Sequence, residues 1–149
     1  MPAELIQVEI TESALTADPA QLTATIERLT AAGVAISLDD FGTGYSSLQH
    51  LRRLPLAEIK IDRSFVAGIA HDADDAVIVR STVDLARALG LRVVAEGVET
   101  AAQRDLLRSL DCDEVQGYLV SRPVAAETIT SLLAGGAAYP GFGAAAVTV

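Results

Sequence analysis

Apolar residues along this chain switch repeatedly between a period of two and the longer period of a helix, and each switch marks an element boundary. Leu5 to Thr11 alternates, with Ile6, Val8 and Ile10 on one side, and predicts a first strand. Asp18-Pro19 then predicts a helix start, with proline in the first turn where its missing N–H costs nothing. Leu22, Ile26 and Leu29 keep helical spacing up to Gly33. Val34-Ala35-Ile36-Ser37-Leu38 predicts a buried second strand, ending at Asp39-Asp40 and followed by Gly42, Gly44 and a short helix through Leu48 and Leu51. Glu58 to Asp62 predicts a third strand. Asp74-Asp75 opens a longer helix, with Val77, Ile78, Val83, Leu85 and Leu89 as its buried side and Gly90 as its stop. Leu91 to Glu96 is the fourth strand, followed by a loop from Gly97 to Thr100 and a helix through Leu106, Leu107 and Leu110. Glu114 to Tyr118 makes a shorter fifth strand, and Pro123 precedes a last helix through Ile129, Leu132 and Leu133. From Gly135 onward there is neither charge nor period, so the folded unit is expected at 1–134 and a disordered Gly/Ala-rich tail at 135–149.

Strand and helix alternate five times. That pattern predicts an α/β fold of parallel strands joined by right-handed helical crossovers. It suits an open doubly wound sheet or part of a TIM-type (β/α) barrel. No glycine-rich dinucleotide fingerprint follows the first strand, which weakens the nucleotide-binding open sheet. The 149 residues hold one domain with a real core. They fall short of a complete (β/α)₈ barrel, which takes about 250 residues.

Composition narrows the class. Half of the residues are hydrophobic and a fifth charged, as in a globular domain. No apolar run approaches the roughly 20 residues of a membrane span. Met1-Pro2-Ala3-Glu4 lacks the start of a secretory signal, and the single cysteine, Cys112, cannot form an internal disulfide. A cytoplasmic location is the expectation. The net charge of −9, without any lysine- or arginine-rich cluster, argues against a nucleic-acid duplex as partner. An anionic small ligand would need metal ions or local basic groups to offset the acidic field.

The chemistry gathers at the strand ends. Asp39 and Asp40 are adjacent carboxylates that repel one another, and a hard divalent cation would relieve the repulsion. The plainer alternative makes Asp40 a helix N-cap and gives the glycines positive φ. Glu9, Asp39 with Asp40, Lys60 with Asp62, Glu96 with Glu99, and Gln116 all fall at or just beyond the C-terminal part of a predicted strand. In parallel α/β folds that end of the sheet builds the active site. Carboxylates converging with one lysine describe a site for one or two divalent metals and favour phosphate-ester hydrolysis. Each residue also has a structural role open to it. Lys60 can pair with a neighbouring carboxylate, Glu99 can cap the next helix, Asp62-Arg63 can form a turn, and Gln116 can bond loop backbone. His50 and His71 lie away from the strand ends, Cys112 has no base beside it, and no nucleophilic triad is visible.

Five segments carry a family resemblance: Val8 to Ser13, Leu38 to Leu48, Ile59 to Val66, Val94 to Thr100, and Gln116-Gly117-Tyr118 through Arg122-Pro123. In this order they resemble the successive motifs of EAL domains, the cyclic di-GMP-specific phosphodiesterases of bacterial signalling. The resemblance implies a TIM-type barrel that uses Mg²⁺ or Mn²⁺ to hydrolyse cyclic di-GMP to linear pGpG. Glu9 and Asp39 would bind one metal. Asp39, Asp40 and Glu96 would bind the second, with Asp39 bridging. Lys60 would orient or help deprotonate the attacking water, Gln116 would contact that water or the metal shell, and Asp62 would support the network. Glu99 would support the site from its loop. The segment from Asp39 to Ser47, with Gly42 and Thr43, would be a mobile dimer-interface loop anchored by Glu12.

The sequence also departs from the family pattern. It contains no Glu-Ala-Leu motif; Ala3-Glu4-Leu5 is the nearest string. The family's first three strands, with a metal glutamate, a phosphate-binding arginine and an asparagine ligand, have no counterpart before Leu5. The expectation is therefore the C-terminal portion of an EAL domain, an incomplete barrel inactive or weakly active alone. An apolar core open to water on one side would drive self-association or recruitment of a partner that supplies the missing strands. The alternatives are a non-catalytic EAL-like module that binds a protein or cyclic di-GMP and, more distantly, an unrelated metal-binding α/β fragment.

Overall fold

The computed structural model describes residues 2–44 and 48–134. Tyr45 to Ser47 and the expected tail at 135–149 lie outside the described residues. After a short turn of 3-10 helix at Ala3–Leu5, the elements run β1 (Gln7–Thr11), α1 (Ala14–Ala17), α2 (Pro19–Ala31), β2 (Ala35–Phe41), α3 (Leu48–Leu51), β3 (Glu58–Ile61) and α4 (Arg63–Gly68). They continue with α5 (Ala73–Leu89), β4 (Arg92–Ala95), α6 (Ala101–Ser109), β5 (Glu114–Val115) and α7 (Ala126–Ala134).

The helix boundaries follow from local chemistry. Asp18 caps α2 by accepting the Gln21 N–H at 3.0 Å, and Pro19 takes the first helical position. The cap of α5 is Asp72, two residues before the expected opening, and it accepts the N–H groups of Asp74 and Asp75. Asp74 and Asp75 sit in the first turn, where negative charge complements the helix dipole. Thr100 and Gln103 form a reciprocal capping box at the start of α6. In α5 the core side is Val79, Thr82, Val83 and Ala86; Val77, expected inside, is 61% exposed. The unexpected helix α4 has only six residues, too few to establish a period in sequence.

All five strands are parallel and lie in the order β1-β2-β3-β4-β5. A doubly wound sheet reverses its strand order at a switch point, whereas a barrel adds each new strand beside the last. The unbroken order is therefore that of a barrel segment. Ile36 and Leu38 of β2, Ile59 and Ile61 of β3, Val93 and Ala95 of β4 and Val115 of β5 join Ile26, Val66, Val79, Val83 and Leu107 of the helices in one core. Each of the valine, leucine and isoleucine side chains contributes about 1.5–3 kcal/mol on burial.

The opposite face of the sheet differs from expectation. It carries Gln7, Glu9, Ser37, Asp39, Glu58, Lys60, Arg92 and Glu114, joined across the strands by hydrogen bonds and ion pairs. The apolar core is sandwiched between sheet and helices, and the face turned away from the helices is polar apart from Val94 of β4. Lys60 on β3 reaches Glu9 on β1, and Glu58 on β3 reaches Gln7, so both contacts span β2. Such spans fit a sheet curved toward that face, as in a barrel wall. Among the described residues no helix is long and apolar enough to cross a membrane.

Candidate active site at the strand ends

Lys60 stands at the centre. Its Nζ lies 2.7 Å from Glu9 Oε1, 3.5 Å from Asp39 Oδ1 and 2.5 Å from Glu96 Oε1. β3 supplies the lysine, β1 and β2 supply Glu9 and Asp39, and Glu96 follows the last residue of β4. The residue is only 5% exposed. Burial alone would favour a neutral amine, but the hydrogen bonds to Glu9 and Glu96 and the charges of Glu96 and Asp39 outweigh it and hold Lys60 above the usual lysine pKa. Lys60 is thus a fixed cation. Glu96 is shifted upward because its burial outweighs the stabilising charge of Lys60.

The strand that brings Asp39 and Asp40 to the site runs further than its apolar pattern does. β2 continues through both aspartates to Phe41. Leu38 pairs with Ile59 and Phe41 with Ile61, so β2 carries one residue more than β3 between these partners. Asp40 takes a positive φ of 56° at this bulge, and its N–H donates to Asp39 Oδ1 at 3.0 Å. Alternation in a regular strand would send neighbouring side chains to opposite faces; a bulge re-aims one of them. Asp40 accordingly faces Asp39, Asp62 and Lys60. Its pKa is raised by burial first and by the two neighbouring carboxylates next. The N-cap reading of Asp40 fails, because it lies within β2. Asp62 is the residue that caps a helix: its Oδ1 accepts the Ser64 N–H at 2.9 Å at the start of α4 and also accepts the Ser64 hydroxyl. Burial raises the Asp62 pKa, yet the hydrogen bonds from Ser64 prevail and hold it below the usual value.

The loop after β2 is tied down by a carboxylate. Glu12, 4% exposed, accepts the N–H groups of Gly42 and Gly44 at 3.1 and 3.0 Å through Oε2. Gly42 has φ of +99°, and a Cβ there would meet the Phe65 ring at 3.0 Å, so a side chain is opposed by both backbone and neighbour. The Thr43 hydroxyl donates to the Asp40 carbonyl at 2.8 Å. Glu12, Gly42 and Thr43 are thus brought together around this loop.

Glu99 is exposed in the β4–α6 loop, where its N–H donates to Gln103 Oε1 at 2.9 Å. Gln116 follows β5, its N–H donating to the Ala95 carbonyl at 2.8 Å and its carbonyl accepting the Val98 N–H at 3.0 Å. These bonds place Gln116 beside the strand end that carries Glu96. The next residue explains the closeness: a Cβ on Gly117 would lie 2.3 Å from both N and O of Val98. The sequence offered Gly117 only as part of a motif; its steric role depends on two loops that meet in space. Cys112 is buried, and burial pushes its thiol up to about 12, so it is no nucleophile. His71 is exposed in the turn after α4, away from these groups.

The donor set fits a hard divalent cation by chemistry: Glu9, Asp39, Asp40 and Glu96 offer only carboxylate oxygen. In position, however, the Lys60 ammonium stands among Glu9, Asp39 and Glu96, and among the described residues no three acidic, histidine or cysteine side chains are grouped closely enough to ligate one ion. Cation binding therefore requires these carboxylates to turn from Lys60 toward a common point.

Residues 1–123 match the family described as the EAL domain. The bifunctional diguanylate cyclase/cyclic di-GMP phosphodiesterase MucR of Pseudomonas aeruginosa is 51% identical over 133 residues, which cover 89% of this chain and 19% of MucR. The structure described as PaMucR phosphodiesterase in complex with c-di-GMP superposes with a TM-score of 0.84 at 50% identity, covering 87% of this chain and 52% of that one. The EAL domain of Mycobacterium smegmatis DcpA gives a TM-score of 0.88 at 42% identity, with 93% and 62% covered. Klebsiella pneumoniae BlrP1, in a manganese/cyclic di-GMP complex, gives 0.77 at 36% identity, with 83% and 31% covered. This chain thus spans about a fifth of the MucR sequence. Its five-stranded parallel sheet in barrel order, its residues along 1–123 and its likeness to solved EAL structures agree: the chain belongs to the EAL domain family.

Proposed function

We propose that this chain supplies the active-site rim of a divalent-metal-dependent phosphodiesterase that opens one phosphodiester of cyclic di-GMP to give linear pGpG. The observation that carries the reading is Lys60, a buried ammonium facing Glu9, Asp39 and Glu96 at the ends of parallel strands. Glu9, Asp39, Asp40 and Glu96 would hold the cation, Mg²⁺ or Mn²⁺. A cation bound there supplies Lewis-acid polarisation of a phosphoryl oxygen and a bound water of lowered pKa. Lys60, an ammonium at the strand ends, would orient the attacking water and offset phosphate charge rather than take up a proton. Gln116 adds its amide to the same task, and Asp62 steadies the Asp40 carboxyl. Glu12 holds the β2–α3 loop through Gly42 and Gly44, with Thr43 and Glu99 in support. Cyclic di-GMP in the MucR and BlrP1 complexes, with manganese in the latter, supports the substrate and the class of cation. The remaining wall of the barrel would come from further strands, in the same polypeptide, a second copy or a partner, in keeping with the 52% of the MucR structure that this chain covers.

A second reading is a non-catalytic module that binds cyclic di-GMP or a protein. It is favoured by the carboxylates closing on Lys60, with no three donors grouped for a cation among the described residues. Hydrolysis of cyclic di-GMP with Mg²⁺ or Mn²⁺, beside an Asp39→Asn control, separates the two. Metal-dependent turnover that the control abolishes is the expected outcome. Binding without turnover favours the second reading, and neither binding nor turnover overturns both.

A further inference from the structure

A second set of charged side chains crosses the same face of the sheet and takes no part in the proposed hydrolysis. Glu58 of β3, 3% exposed, accepts Gln7 Nε2 of β1 at 2.5 Å and Ser37 Oγ of β2 at 3.0 Å through Oε1. Its Oε2 pairs with Arg92 Nη2 of β4 at 2.9 Å, and Arg92 Nη1 reaches Glu114 Oε1 of β5 at 2.6 Å. One residue from each of the five strands is therefore tied into a single clasp.

The clasp lies directly beneath the rim. Gln7, Ser37, Glu58 and Glu114 stand two positions before Glu9, Asp39, Lys60 and Gln116, and Arg92 four before Glu96. Side chains two apart on a strand share a face, so Gln7, Ser37 and Glu58 sit under Glu9, Asp39 and Lys60 of their own strands. Val94 stands between Arg92 and Glu96, and Glu96 and Gln116 follow the ends of β4 and β5. Apolar side chains would fill this space without the desolvation cost of buried charge. A guanidinium bridging two carboxylates does what they cannot. The backbone ladder already sets the spacing of β3, β4 and β5. The planar fork, which admits few orientations, draws Glu58 and Glu114 together across β4 and so sets how the sheet curves toward this face.

We propose that Glu58 and Arg92, closed by Glu114, are positioning residues that set the curvature of the paired strands, so that Lys60 meets Glu9, Asp39 and Glu96. The inference rests on the reading of the rim as a divalent-metal phosphodiesterase site and adds the groups that keep that site in shape. Outer groups that orient metal ligands change metal affinity by roughly 10- to 100-fold when removed.

Lys60 is the only lysine in the chain, so its side-chain ammonium gives a single resonance in a nitrogen-labelled sample. Arg92→Met should shift or broaden that resonance and weaken Mn²⁺ binding by roughly tenfold or more, with the far-ultraviolet circular dichroism unchanged. Arg92→Lys, which keeps the charge without the fork, should recover part of both. A folded Arg92→Met chain with native Lys60 resonance and native Mn²⁺ affinity overturns the proposal. Should Arg92→Met fail to fold, Ser37→Ala removes one donor to Glu58 without unpairing a charge; it should move the Lys60 resonance, and an unmoved resonance is equally fatal. A native chain that binds no Mn²⁺ sinks the metal reading, while the Lys60 resonance still decides the positioning role.

Discussion

The two ends of the sheet are built from the same kinds of residue and differ in how far their charges are balanced. At the N-terminal end, Arg92 stands between Glu58 and Glu114, and Glu58 collects two further donors, so both carboxylates there share one guanidinium and a single negative charge is left over. At the C-terminal end one ammonium faces Glu9, Asp39 and Glu96, with Asp40 pushed toward its protonated form by burial and by Asp39 and Asp62. The first arrangement is structural, with a half-exposed Arg92 side chain tying a buried Glu58 to Glu114. The second carries the larger surplus, with three carboxylates facing one ammonium and the Glu9 side chain half exposed. A buried polar group alone therefore says little about function; an unbalanced set of them at an open strand end says much more.

The largest test of this contrast is Lys60→Met. Removing one partner from a buried ion pair leaves uncompensated charge and typically costs about 3–5 kcal/mol. The urea midpoint at neutral pH should fall accordingly. Mn²⁺ should raise the midpoint of the variant more than that of the native chain, because the carboxylates then lack their internal cation. The pH dependence sharpens the point. The Lys60 pKa is higher in the folded than in the unfolded chain, so its contribution is complete below the unfolded value near 10.4 and fades as pH rises through the folded one. Native stability should thus drop toward that of Lys60→Met in strong alkali, and parallel curves would refute the ion-pair account.

Gly117→Ala probes the rim by packing instead of charge. Its Cβ would collide with backbone atoms of Val98, and overpacking of this kind costs about 1–3 kcal/mol. The added displacement of Gln116 should reduce cyclic di-GMP binding or turnover beyond the loss of stability, measured by comparing kcat and KM with the urea midpoint.

Much of this architecture was legible in the sequence. The alternation at Ile6, Val8 and Ile10, the Asp18-Pro19 start and the Gly90 stop all correspond to observed elements. The bulge at Asp39-Asp40 was hidden, because an extra residue on one strand exists only relative to its partner. Helix α4 was hidden by its length. The clasp was hidden for another reason: Gln7, Ser37, Glu58, Arg92 and Glu114 have no common spacing in sequence, and only the register of the strands brings them together. The polar inner face was misjudged as an exposed apolar side, although every second residue of the strands already pointed to it.

The smallest effect is the control. Thr100→Ala removes the α6 cap and should cost about 1 kcal/mol. Thr100 pairs with Gln103 and with none of Lys60, its carboxylates or the clasp, so the Lys60 resonance and Mn²⁺ affinity should stay as they are once the loss of stability is allowed for. A change in either would mean that the rim responds to any loosening of the fold, and the contrast between the two ends would lose its force.

Because the strands succeed one another around the sheet in chain order, to walk along the polypeptide is to walk around the rim. Glu9, Asp39, Lys60 and Glu96 follow one another like hours on a dial. Lengthening a helix on the outside of such a dial leaves the hours in place, whereas losing one βα unit removes one hour and keeps the sequence of the others. The site can therefore change one mark at a time, and a lineage could retune its chemistry without redrawing the face.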